Sequence, residues 1–160
     1  MSVDKNQAVI DYLITCPNIL NSPLYFNFIN AEDDTNQFVT TSNDVYTNKP
    51  YIDGSVQKMY TFTIITFKAA ADIAIVKMGG YPNENLSDMS DIQALIDWVK
   101  EQEDLHNYPN FGEDCVIESI QPTTENPTFN GIDTQISPPL AVYSTSIQIQ
   151  YLDMSKVIWR

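Results

Sequence analysis

Residues Val56 to Phe67 read VQKMYTFTIITF, and few folds can accommodate such a stretch. β-Branched and aromatic residues dominate it, and a turn signal, Asp53-Gly54, stands just before it. Its first half alternates, with Tyr60, Phe62 and Ile64 on one side and Thr61 and Thr63 on the other. Near its end Ile64, Ile65 and Phe67 put apolar groups on both sides. Successive strand residues point to opposite faces, so the pattern predicts a central strand that starts half-exposed and ends covered on both sides. Its expected neighbour is Ala141–Leu152, AVYSTSIQIQYL. There Tyr143, Ile147, Ile149 and Tyr151 alternate with Ser144, Ser146, Gln148 and Gln150.

Both stretches lack charge: no Lys, Arg, Asp or Glu occurs from Met59 to Phe67 or from Ala141 to Leu152. The chain as a whole carries a formal net charge of −13. An uncharged strand is a poor edge against solvent, because edges are usually protected by charge or Pro. A cover is therefore expected, supplied by a helix of the same chain or by another subunit.

At 160 residues the chain fits a single domain, 1–160, able to bury a core without staples. A hydrophobic content of 43% argues against wholesale disorder. No apolar run approaches the ~20 residues that span a bilayer. The opening MSVDKNQAVIDYL has Asp and Gln where a signal peptide needs a basic patch and an apolar block, so a protein made and kept in a cytosol is expected. Cys16 and Cys115 have no metal-ligand spacing and read as free thiols in or near the core. Eight Lys and Arg face 21 Asp and Glu. The cations are scattered singly and the lone Arg is Arg160, so no patch can neutralise several phosphates together. This argues against tight binding to nucleic acid or to an anionic membrane.

Along the chain, Ser2 can cap a helix running to about Thr15, with Val9, Ile10, Leu13 and Ile14 on one face and Pro17 as its stop. Leu24–Ile29 is a short aromatic strand candidate. The polar stretch 31–50, anchored only by Phe38, Val39, Val45 and Tyr46, reads as a ragged hairpin arm or a long loop. Ala69–Met78 fits a short helix or a strand extension, and Gly79-Gly80 and Pro82 then break the chain. A capping box, Ser90 to Gln93, opens a second helix with Ile92, Leu95, Ile96 and Val99 at helical spacing, ending near Leu105. Cys115–Ile120 alternates as a strand. Gln121–Pro139, with four prolines, reads as a second long loop, its polar span at 122–139. The order predicts an α+β fold, a mostly antiparallel sheet with two main helices packed on one face.

The search for chemistry returns little. His106 lies at the second helix's end, where the dipole favours it, without the G-x-S-x-G context of a nucleophile or an acetyltransferase His-x-x-x-Asp-Gly pattern. Glu32-Asp33-Asp34 lacks EF-hand spacing and reads as a solvated acidic loop. Gly79-Gly80 lacks the phosphate-loop ending, and the sequon at Asn85 carries no meaning in a cytosol. No cofactor, metal or catalytic group is expected. An acidic module with uncharged strands and two polar loops suits contact work.

Four stretches carry a family likeness: Asp11 to Pro17 (DYLITCP), Tyr51 to Ser55 (YIDGS), Ile96 to Gln102 (IDWVKEQ) and Tyr143 to Tyr151 (YSTSIQIQY). In this order and spacing the chain resembles the tail terminator, or minor capsid, proteins of tailed phages and prophages of Gram-positive hosts. Its segments 31–50, 79–85 and 122–139 are longer than that pattern. The resemblance implies a virion protein of the tail or neck, assembled in the host bacterial cytoplasm. It implies a homohexameric ring that ends the tail tube and meets the head connector, with DNA passing through unbound and no membrane involved. Uncharged strand edges are then expected to join sheets between subunits. Candidate contacts to a neighbouring subunit or the tail tube are Asp33, Asp34, Phe38, Tyr46, Phe129, Gln148 and Gln150. The alternatives are another neck protein, a stopper or tail-completion factor, and a small acyltransferase or hydrolase using His106.

Overall fold

The two uncharged stretches lie side by side at the centre of a sheet. The structure, a computed structural model, describes residues 4–17, 24–26, 35–40, 49–69, 83–133 and 140–157. Through them run α1 (Lys5–Leu13), β1 (Leu24–Phe26), β2 (Thr35–Thr40), β3 (Lys49–Pro50), β4 (Val56–Ala69), α2 (Asn83–Asp104), β5 (Cys115–Pro122), β6 (Thr128–Asp133) and β7 (Leu140–Asp153). β4 and β7 pair antiparallel over their whole length, from Val56 opposite Asp153 to Ala69 opposite Leu140. The sheet order is β1-β2-β4-β7-β5, with β3 also on β4 and β6 also on β7. All pairings are antiparallel except β1 with β2.

This order corrects the expectation about edges. β7 has β4 on one side, and β5 and β6 share the other. β4 has β7 on one side and β2 and β3 on the other. Neither strand is an edge, so the missing charge is not an exposed edge awaiting a partner strand.

The helices close one face. Residues opposite each other in register share a face, which puts Phe38, Phe62, Ile64, Ile120, Ile147, Ile149 and Tyr151 together. They form one cluster with Val9, Tyr12 and Leu13 of α1 and Leu95 and Val99 of α2. The rings of Phe38 and Phe62 stack at 5.0 Å, Tyr12 meets Trp98 at 5.1 Å, and Phe111 meets Tyr151 edge-on at 5.2 Å. The fold is α+β, an antiparallel-dominated sheet with both described helices on one face.

Several boundaries differ from expectation for local reasons. Asp4, rather than Ser2, caps α1: its Oδ1 accepts from the backbone N–H of Asn6 at 3.0 Å and Gln7 at 3.4 Å. α2 begins at Asn83, so the Ser90 capping box lies inside the helix. The stretch read as an arm contains β2, whose Phe38 is wholly buried. Its polar composition is reconciled by Asn36, which accepts from the Thr66 hydroxyl at 2.8 Å inside the protein. The second expected loop contains β6, bulged between Phe129 and Gly131. Residues 70–82, and with them most of Ala69–Met78 and the Gly79-Gly80 break, lie outside the described residues.

The Asp53-Gly54 turn holds the start of β4 against the chain's last described segment. Tyr51 N–H donates to Ser55 O at 2.8 Å, and Asp53 Oδ1 accepts from the Ser55 N–H and hydroxyl at 2.9 and 2.6 Å. Gly54 has φ +96, and a Cβ there would lie 2.2 Å from the Lys156 carbonyl oxygen, so only glycine fits. Nearby, Lys58 Nζ donates to Asp153 at 2.8 Å. Burial pushes the Asp153 carboxyl up, but hydrogen bonds from Lys58 and Ser155 and the Lys58 charge outweigh it and bring it down to about 2.

One buried polar group is left over. Thr145, opposite Ile64 and 1% exposed, has no hydrogen-bond partner for its hydroxyl among the described residues. Replacing it by the near-isosteric Val removes that desolvation cost. Thr145→Val should stabilise the fold by about 1–2 kcal/mol, read as a higher urea midpoint at unchanged slope. A lower midpoint would show that the hydroxyl is satisfied in solution.

Candidate interaction surface

The face of the sheet away from the helices is built by the same alternation. Gln57, Met59, Thr61, Thr63 and Ile65 of β4 stand opposite Leu152, Gln150, Gln148, Ser146 and Ser144 of β7. β5 adds Val116, Ser119 and Gln121, opposite Leu152, Gln150 and Gln148. β2 adds Val39 beside Thr63. None of these residues is charged, and Lys58 shares the helix-side parity of Tyr151; charge stands at the margins of the face, where Lys49 of β3 lies opposite Gln57 and Asp133 of β6 opposite Leu140. The β4 and β7 residues are half-buried, Val116 and Gln121 are exposed, and the core clusters draw nothing from this face. It closes at its β2 end, where Gln37 and Phe67 are buried.

Hydrogen bonds tie the strands of this face together. Thr63 and Ser146 hydroxyls lie 2.8 Å apart across the β4–β7 ladder. Gln57 Nε2 donates to Glu118 Oε1 at 3.1 Å, where β5 bulges between Ile117 and Ser119. On the other side of the molecule Glu103 of α2 accepts from the Ile120 backbone N–H at 3.0 Å. An α2 carboxylate thus occupies a donor of the outer strand β5.

The seven candidate contact residues do not form one site. Gln148 and Gln150 lie on the neutral face, half-buried and mid-sheet, with strands on both sides. Phe129 is 51% exposed but pairs with Tyr143, its ring 5.5 Å away, on the helix-side parity. Phe38 is core, stacked on Phe62, and has no surface to offer a partner. Asp33, Asp34 and Tyr46 lie outside the described residues. Sequence reasoning put Ser146 on the face of Gln148 but missed Gln57, Thr63 and Gln121 as its companions there, although the alternation of each strand already puts them on one face once the register is known. It also missed Ile52, fully exposed at the tip of the turn before β4.

His106 has a structural job. It adopts φ 53 just past α2, its N–H donating to Glu103 O at 3.1 Å, while Asn107 N–H donates to Gln102 O at 2.9 Å. These two bonds make a Schellman cap in which His106 holds the left-handed position usually given to glycine. Its exposed imidazole Nδ1 lies 3.2 Å from the Tyr108 hydroxyl, and among the described residues no serine, threonine or cysteine hydrogen-bonds to it. Both cysteines are free of disulfides; Cys16 is buried and burial pushes the half-buried Cys115 thiol up. Among the described residues no group of three or more His, Cys, Asp or Glu could hold a metal, and no helix is long and apolar enough to cross a membrane.

Compared with known proteins, the chain matches no protein-family model and no curated protein.

Relieving the left-handed strain at the α2 cap gives a direct test of the role of His106. His106→Gly should leave the fold intact and raise stability by up to about 1 kcal/mol, seen as a melting temperature unchanged or a few degrees higher. A loss of stability would mean that the imidazole contact outweighs the backbone strain.

Proposed function

We propose that the protein is a structural subunit of the phage tail, forming a ring at the head-proximal end that terminates the tail tube and meets the head connector. The observation that carries this reading is the uncharged centre of the sheet's second face, Met59 to Ile65 against Ser144 to Gln150, in a chain of net charge −13. Two acidic copies repel each other over most of their surface, and a face of neutral amides and hydroxyls is where they can approach without that cost. Its amide groups both donate and accept, which lets the face meet backbone or side chains of another subunit.

The stretches that resemble the tail terminator family support the same reading by lying at structurally important places. DYLITCP closes α1, YIDGS is the glycine-dependent turn, IDWVKEQ lies in α2, and YSTSIQIQY lies in β7. Tyr12 of the first and Trp98 of the third are in ring contact, so separate parts of the resemblance share one core. The acidic balance also suits a conduit that must not grip DNA. On this reading the protein belongs to the neck of the virion and its partners are other copies of itself, the tube protein and the connector.

Sedimentation tests the assembly step. At micromolar concentration, with or without tail tubes, the protein should run well above monomer. Gln148→Lys should weaken association by about 10- to 100-fold per contact, since burying an unpaired polar or charged group costs at least about 1–3 kcal/mol. A strict monomer in both conditions would contradict the ring.

A further inference from the structure

A cleft of about 420 Å³ lies on the helix side of the molecule, between α1 and the segment after α2, away from the neutral sheet face. One wall is a helical stripe, Asp4, Gln7, Ala8 and Asp11, at the i, i+3, i+4, i+7 spacing that shares one face. The opposite wall is Tyr108 through Asn110, with Tyr12 between the two. The phenol of Tyr12 donates to Asn107 O at 2.8 Å, which fixes its ring.

The electrostatics of this cleft are one-sided. Among the described residues its lining contains two carboxylates and no Lys, Arg or His. Asp11 is oriented by Gln7 Nε2, which donates to its Oδ1 at 2.8 Å, and neither Asp4 nor Asp11 makes an ion pair among the described residues. The neighbouring cation of α1, Lys5, is turned elsewhere, its Nζ 5.9 and 5.6 Å from the ring centroids of Phe111 and Tyr151. Burial and the adjacent Glu103 push the Tyr108 phenol up to about 12, so a third carboxylate adds to the negative field. The helix N-terminus here does not make an anion site, because Asp4 already takes the Asn6 and Gln7 amides.

We propose that this cleft receives an arginine side chain of a partner polypeptide, the guanidinium lying against the tyrosine rings and hydrogen-bonding the carboxylate of Asp11, with Asp4 adding its charge from the far end of the cleft. Charge complementarity selects a cation, and the aromatic walls favour a planar, weakly hydrated one over a compact ammonium. Asp4 and Asp11 stand two helical turns apart, about 10 Å, so the cleft offers one carboxylate at each end of a tyrosine-lined floor. It opens to solvent along one side, as an extended chain requires.

The inference stands apart from the ring reading and is tested on the whole protein. N-acetyl-arginine amide, titrated in an NMR experiment at low salt, should give saturable shifts at the amides of residues 4–12 and at Tyr108 and Asn110, with millimolar affinity. The neutral isostere N-acetyl-citrulline amide should bind at least about tenfold more weakly, and added salt should weaken the arginine probe. The Asp4→Asn, Asp11→Asn double variant keeps a capping residue at position 4 and should lose the saturable shifts. Equal binding of citrulline, shifts spread over the acidic surface without saturation in the cleft, or unchanged binding by the variant would each overturn the proposal.

Discussion

The structure depends on the ladder between β4 and β7. Fourteen residue pairs run in unbroken register, and every other feature is placed relative to them. Because side chains alternate with period two, a slip of one residue would exchange the faces of one strand. Phe62 and Ile64 would then face solvent and Thr61 and Thr63 would enter the core. The core beneath the helices, with Ile147 and Ile149 wholly buried, fixes this register. The same register puts Gln148, Gln150, Ser144 and Ser146 on the second face together.

This arrangement explains where the charge is missing. Both central strands have ladder neighbours on both sides, so their edges need no charged protection. Their helix-side residues are buried, and charge there is confined to the strand ends, as in the Lys58–Asp153 pair. What remains is a second face with an uncharged centre, and it is this centre that supports a role in contact. Acidic residues also line the α1 cleft, where Asp4 and Asp11 make no ion pair among the described residues.

Much of this was legible in the residues, and the failures have physical causes. The alternation of β4, β7 and β5 and the apolar spacing Ile92, Leu95, Ile96, Val99 announced their elements. β2 was hidden because its inward Asn36 is satisfied by Thr66, thirty residues away, and composition cannot show a long-range pair. The first two turns of α2, NENLSDM, have little apolar spacing, and Ser90 imitates a cap in mid-helix. β6 is broken by a bulge at a glycine of φ 109, so its pattern reads as loop. Alternation identified the faces of Gln148 and Gln150 but not their place in the sheet, because strand order depends on β2, β5 and β6. Phe38 was assigned outward with the arm, and fell inward with β2.

The central claim is that this acidic, neutral-faced module ends a tail. A tube built by head-to-tail stacking does not close by its own symmetry, so its length must be ended by a different protein. Negative-stain microscopy of a lysate from phage lacking only this gene tests that claim most directly. The account predicts overlong tails beside filled heads that fail to join them. Normal infectious particles, or tails of normal length beside full heads, would contradict it.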